Sequence, residues 1–210
     1  MNKICIAGMG PGALEYITPA ALEAIIRSDI LVGGKRNLDS FQHLNKEVYE
    51  FKSSMEDMFN YVQEARQEKK ICVVVSGDPG FYSLLDFFLK KLGRDSLEVI
   101  PGISSFQYLF AKLAKPWKNF FLCSMHGRDT DMKEKLAEKD GLFLLTDRTN
   151  NPNMIADFLI SQDLGPCTIT VGENLSYADE RIVVGRPEEI RNLSFGDLCV
   201  VVIEKDGMEL

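Results

Sequence analysis

Short blocks of apolar residues with no polar alternation recur along the chain, and several of them run straight into glycine. Val73-Val74-Val75 is the clearest: β-branched and uninterrupted, it has the pattern of a strand covered on both faces of a parallel sheet. Ile4–Ala7 and Ile30–Val32 repeat that uninterrupted apolar pattern, Leu97–Ile100 makes another strand with Glu98 inside it, and Glu47–Phe51 adds a more polar one. Between them, apolar residues fall at helical spacing. Thr18 as N-cap and Pro19 at the first helical position open a helix to Ser28, whose Ala21, Leu22, Ile25 and Ile26 are expected to pack on a sheet. A short helix is expected over Leu38–Leu44. A longer one runs from Met55 to Lys69 behind Ser54-x-x-Asp57, a capping box with Asp in place of Glu. Helices Phe81–Leu92, stopped by Gly93, and Ser105–Leu113 complete this half.

Ala114–Lys118, with Pro116 and lysines on either side of it, reads as a linker, after which the alternation restarts. Strands are expected at Phe120–Cys123, Leu142–Leu145 and Thr168–Val171, with Arg181–Val184 and Leu198–Ile203 as closing strands. Helices are expected at Met132–Glu138, at Pro187–Arg191, and from Pro152 to Gln162 with Asn151 as N-cap. Strands alternating with helices predict an α/β fold. The expected plan is two α/β domains, residues 1–114 and 115–210, each with a mostly parallel or mixed sheet flanked by helices. A ligand cleft is expected between them.

Three strand ends in the first half carry glycine turns: Gly8-Met9-Gly10-Pro11-Gly12, Ser76-Gly77-Asp78-Pro79-Gly80 and Pro101-Gly102-Ile103-Ser104-Ser105. Glycine reaches positive φ and lets a ligand approach the backbone, Pro79 fixes its own φ, and Asp78 can bond nearby backbone N–H groups. Ligands of open α/β sheets sit beyond the carboxyl ends of the strands, so these turns are candidate walls of a small-molecule site. Gly8–Ala13 also matches a dinucleotide fingerprint in form. That match is weakened because Pro11 has no N–H, Glu15-Tyr16-Ile17 separate the glycines from the helix start, and the second strand ends in Gly33-Gly34-Lys35-Arg36 instead of an acid.

Composition narrows the partners. The 210 residues are 45% hydrophobic, enough for a core of that size, and carry a net charge of −7 with a pI near 5.0. An acidic chain lacks the basic face that nucleic acid requires. No apolar run is long enough for a membrane span and nothing resembles a secretion signal, so a cytoplasmic protein is expected. Cys5, Cys72, Cys123, Cys167 and Cys199 are widely spaced and lie in or beside apolar runs, the pattern of buried reduced thiols. With only His43 and His126 besides, no metal site is expected. Hydrolase elbows, phosphate loops and H-E-x-x-H are absent from the sequence.

The three glycine motifs, in this order and at these strand ends, resemble the tetrapyrrole methylase family, and the resemblance spans essentially the whole chain. Val32-Gly33-Gly34-Lys35-Arg36, Ser124-Met125-His126-Gly127-Arg128 and Glu173-Asn174-Leu175-Ser176-Tyr177 look like the branch that methylates C5 of a corrin precursor on the way to cobalamin. The resemblance implies S-adenosylmethionine as cofactor, a tetrapyrrole as the small-molecule partner and a homodimer. It implies that Pro11, Ser76, Gly77, Asp78, Phe81, Ser104 and Ser105 line the donor pocket, with Met125, Leu145 and Gly172 closing over the adenosine. No catalytic base is assigned; His126 and Asp78 are candidates. Other family acceptors, and a nucleotide-binding oxidoreductase or sensor built on Gly8–Ala13, remain as rival readings.

Corrin precursors carry many carboxylates, which a chain of net charge −7 repels unless cations gather at the site. Lys35, Arg36, Arg128 and Arg148 all follow strand ends and are the candidate clamps, with His126 as a further substrate contact. Lys35 and Arg36 are expected on an exposed loop.

Overall fold

The computed structural model describes residues 1–52, 54–125, 131–162, 164 and 166–206. By its internal contacts the chain divides into two units, Met1–Ser104 and Ser105–Leu210.

In the first unit five strands, β1 (Ile4–Gly8), β2 (Ile30–Gly33), β3 (Glu47–Glu50), β4 (Ile71–Val75) and β5 (Leu97–Ile100), form one sheet in the order β3-β2-β4-β1-β5. Every neighbouring pair in it is parallel. All residues of β1 and β4 are buried, as their unbroken apolar runs require when both faces of a strand are covered. One face packs under α1 (Pro19–Arg27) and α2 (Lys35–Asp39), through Ala21, Ala24, Ile25 and Leu38. The opposite face packs under α3 (Met55–Ala65) and α4 (Leu85–Leu92), through Met58, Val62 and Phe88. Thr18 caps α1 by accepting the Ala21 N–H, and Ser54 caps α3 by accepting the Asp57 N–H at 3.0 Å.

Several expectations for this unit need correction, among them the helix placed at Leu38–Leu44, which is the end of α2 followed by a 3-10 turn at Gln42–Leu44. Leu22 and Ile26 are 42% and 54% exposed, because Ala21, Ala24 and Ile25 already fill the face of α1 that meets the sheet. Lys35 and Arg36 stand in the first turn of α2, with Gly34 as N-cap, and not on a loop.

The second unit holds a mixed sheet of β6 (Phe120–Ser124), β7 (Gly141–Leu145), β8 (Cys167–Glu173), β9 (Arg181–Gly185) and β10 (Cys199–Lys205), in the order β6-β7-β10-β8-β9. β10 lies in the middle, antiparallel to both β7 and β8, so β9 alone of the two expected closing strands is an edge. α6 (Met132–Glu138), α7 (Pro152–Ser161) and α8 (Pro187–Ile190) cover one face through Leu136, Ile155, Leu159 and Ile190. α5 (Ser105–Lys112) groups with this unit, ahead of the stretch read as a linker, since Phe106 and Phe110 pack their rings on Phe143 at 5.8 and 6.5 Å. All five cysteines are buried and free. Among the described residues no helix is long and apolar enough to cross a membrane.

Candidate active site

β1, β4 and β5 are adjacent, so their carboxyl ends bring the three glycine turns together. The approach is backbone on backbone. A Cβ placed on Gly102 would stand 2.2 Å from the Gly77 carbonyl oxygen, and one on Gly8 would stand 2.6 Å from the Gly102 nitrogen. Gly10 and Gly77 exchange hydrogen bonds, Gly77 N–H to the Gly10 oxygen at 2.8 Å and Gly10 N–H to the Gly77 oxygen at 3.3 Å. Both have positive φ, 79° and 66°, which side chains rarely tolerate. Asp78 fastens the cluster: one carboxylate oxygen accepts the Gly80 N–H at 2.8 Å and the other accepts the Gly102 N–H at 3.1 Å. Ser104 is buried, its Cα 3.6 Å from where a Gly77 Cβ would lie. Pro11 is half-buried behind Gly10, and Ser105 begins α5.

The helix after the Asp78 turn starts later than its sequence suggests. The Phe81 N–H donates to the Asp78 carbonyl at 3.2 Å, and Tyr82 has φ 51°, so residues 81–84 form turns and α4 begins at Leu85. A non-glycine residue held at positive φ beside a turn is strain that the surrounding packing must hold in place. The Phe81 ring stands edge-on to Tyr82 at 5.0 Å. The loop after β1 likewise departs from a dinucleotide site: Leu14–Tyr16 forms a 3-10 turn and α1 starts only at Pro19.

α2 brings a cation to this edge. Arg36 Nη2 donates to the Ser76 hydroxyl at 3.0 Å, and that hydroxyl donates to Asn37 Oδ1 at 3.1 Å. The same helix disposes of its neighbour, since Lys35 pairs with Asp39 at 2.7 Å one turn on. Asn37 carried no signal in the sequence as a partner of the Ser76 turn; only the placement of α2 beside β4 reveals it.

The second unit has its own strand-end cluster. β7 and β8 both run antiparallel to β10, and Val200 of β10 pairs with Leu145 on one side and Gly172 on the other, so those two residues share one level of the sheet. Met125 joins them, its N–H donating to the Leu145 oxygen at 2.8 Å. Asn150 Nδ2 donates to the Met125 carbonyl at 3.0 Å, and Asp147 accepts the Thr149 and Asn150 N–H groups, which fixes the turn after β7. Arg148 is engaged: its Nε and Nη2 both donate to Asp197, at 3.0 and 2.8 Å. His126 and Arg128 lie outside the described residues.

One group that the sequence did not single out is Glu180. The loop after β8 holds Asn174 and Ser176 at φ 48° and 70°, and Glu180 accepts the Ser176 N–H and the Tyr108 hydroxyl, each at 2.6 Å. Lys112 Nζ lies 3.3 Å from the same carboxylate. Burial works to raise its pKa, but the hydrogen bonds from Tyr108, Ser176 and Lys112 outweigh it and hold the carboxyl below the usual range. Among the described residues no group of three or more His, Cys, Asp or Glu is arranged to hold a metal ion.

An open parallel sheet whose adjacent strands end in apposed glycine turns defines a binding edge of the α/β type. Residues 3–191 match the family model of the tetrapyrrole (corrin/porphyrin) methylases, and the chain belongs to that family. It is 36% identical over 179 residues, 85% of this chain and 88% of the relative, to the cobalt-precorrin-7 C(5)-methyltransferase of Salmonella typhimurium. It is 35% identical over 212 aligned positions, 97% of this chain and 98% of the relative, to the probable cobalt-precorrin-7 C(5)-methyltransferase of Methanocaldococcus jannaschii. Its fold is shared with the crystal structure of uroporphyrin-III C-methyl transferase from Thermus thermophilus complexed with S-adenyl homocysteine, at a TM-score of 0.77 and 21% identity, covering 97% of each chain.

Proposed function

We propose that this chain is an S-adenosylmethionine-dependent C-methyltransferase that methylates C5 of a corrin precursor, cobalt-precorrin-7, in cobalamin biosynthesis. The observation that carries this reading is the similarity, across 85% and 97% of the chain, to two proteins named for that reaction. The donor supplies a methyl carbon bound to a cationic sulfur, and its transfer to a nucleophilic ring carbon is an in-line displacement in which positioning does most of the work. The glycine cluster fits such a donor. Its close approaches leave no room for a Cβ on Gly8 or Gly102, so backbone amides and carbonyls, not charged side chains, form the cradle.

In this reading Pro11, Ser76, Gly77, Asp78, Phe81, Ser104 and Ser105 hold the donor, and Met125, Leu145 and Gly172 are the donor contacts of the second unit. Asp78 positions the cradle through its two amide bonds. Arg36 binds a substrate carboxylate while tied to the donor turn through Ser76. Lys35 and Arg148 are weaker clamps, each already bound to an acid of its own unit. The acidic net charge supports a small-molecule acceptor over nucleic acid. A cytoplasmic homodimer accompanies the family resemblance, and light scattering and cell fractionation test it.

The deciding experiment incubates the protein with S-adenosylmethionine and a panel of precorrin intermediates and locates the new methyl by NMR. Methyl at C5 is expected; methyl at another carbon assigns a different acceptor. Calorimetry separates the other class, since binding of NADH without binding of S-adenosylhomocysteine contradicts a methyltransferase.

A further inference from the structure

Near the amino ends of the two interior strands β1 and β4, away from the glycine turns, Cys5 and Cys72 are direct partners across the parallel pair. Partners in register on neighbouring strands point to the same face, and both thiols lie in the core beneath α1. Strands in a sheet are about 4.8 Å apart, within the Cα separation of about 4.4–6.8 Å that a disulfide spans. Of the two, Cys5 alone is reachable, since it lines a cavity of about 240 Å³ whose walls include Arg27, Ser28, Ile71 and Glu98. Arg27 and Glu98 form an ion pair there. Cys72 is fully buried and absent from those walls.

We infer that Cys5 and Cys72 are a peroxide-reactive dithiol, Cys5 the residue oxidised first and Cys72 the one that resolves it into a disulfide. The Cys5 thiolate attacks one peroxide oxygen, the O–O bond breaks, and Cys5 becomes a sulfenic acid with release of one water. The Cys72 sulfur then attacks the Cys5 sulfur, the S–O bond breaks, and the hydroxyl leaves with the Cys72 proton as a second water. The balance is two thiols and one hydrogen peroxide to one disulfide and two waters. The order agrees with the thiols' acidities: the neighbouring Cys72 thiol lowers the Cys5 pKa against burial, while the Cys5 thiol and burial raise that of Cys72. Cys123, Cys167 and Cys199 are each buried in the second unit, and burial raises all three.

The test treats the native protein with hydrogen peroxide and reads intact mass, then digests it with trypsin under non-reducing conditions. The expected result is a loss of two hydrogen masses. Peptides Ile4–Arg27 and Ile71–Lys90 should run as one species that dithiothreitol separates. Cys123, Cys167 and Cys199 should still react fully with N-ethylmaleimide after unfolding. Replacing Cys72→Ala should convert the product to a Cys5 sulfenic acid trapped by dimedone, and Cys5→Ala should abolish the reaction. Oxygen added to wild-type Cys5 while Cys72 stays free, a cross-link to any other cysteine or between molecules, or no reaction at a dose that oxidises the urea-unfolded chain would each overturn the inference.

Discussion

The carboxylate of Asp78 accepts the backbone N–H of Gly102 at 3.1 Å, binding the turn after β4 to the turn after β5, while its second oxygen closes its own turn on Gly80. A hydrogen bond to a charged group contributes about 1.5–3 kcal/mol. Asp78→Asn keeps one acceptor but turns an amide NH2 toward one of the two N–H donors, so one bond is lost. Affinity for S-adenosylhomocysteine by calorimetry should fall about tenfold. Unchanged affinity and thermal stability would show that the cluster does not need the charge.

Gly102→Ala should be among the most damaging single-methyl additions in the first unit. Its Cβ would stand 2.2 Å from the Gly77 oxygen and 2.7 Å from the Gly8 carbonyl carbon, both backbone atoms that cannot step aside alone. Urea unfolding should register a loss of about 3 kcal/mol, typical of severe overpacking. Gly34→Ala is the control: nothing lies within 4 Å of its added Cβ and its φ is −70°, so stability should change by less than about 0.5 kcal/mol.

Arg36 and Lys35 should separate in kinetics although they are adjacent. Arg36→Ala should raise the KM for the tetrapyrrole about tenfold, the loss of one charge-assisted contact. It should leave donor affinity nearly unchanged, because Asn37 still holds the Ser76 hydroxyl. Lys35→Ala should alter neither, since Lys35 is paired with Asp39 on the exposed side of α2. Equal loss of donor and substrate binding in Arg36→Ala would argue against a carboxylate clamp.

Glu180 predicts a pH dependence of stability. Its folded pKa is depressed, so its contribution is fully present above the ordinary glutamate value of about 4.3 and is lost as the pH falls through the lower folded value. Thermal melts of wild type and Glu180→Gln should differ at pH 7, by about 2 kcal/mol for weakened bonds to a charged acceptor, and converge in strong acid. A gap that stays constant from pH 7 to pH 2 would assign the effect to packing.

What the sequence made legible follows from which interactions are local. β5 was readable to the residue, because Ser96 and Pro101 bound it, and β4 was readable at its carboxyl end, where its apolar run meets Ser76-Gly77. Thr18 and Asn151 were readable as caps, because a cap bonds within its own turn. The meeting of the three glycine turns was legible from their place at the carboxyl ends of strands read as parallel, while the order of those strands in the sheet was not. The late start of α4 was not, because nothing at Tyr82 announces a positive φ. Neither was the Arg36–Ser76 contact, which depends on β2 lying beside β4, nor the Tyr108–Glu180 bond, which joins α5 to the loop after β8. Register between distant strands leaves no trace in local periodicity.

The central place of β10 bears on how the protein is made. The first sheet is complete once Ile100 has been synthesised and can close while the rest of the chain is still emerging. The second sheet cannot. Before Cys199–Lys205 arrives, β7 and β8 have no strand between them, and their facing edges stay open to pairing with other chains. The last strand of this sheet to be made is therefore the one that joins its halves. Ribosome-bound chains arrested before Cys199 should resist protease across the first unit and be cut within the second.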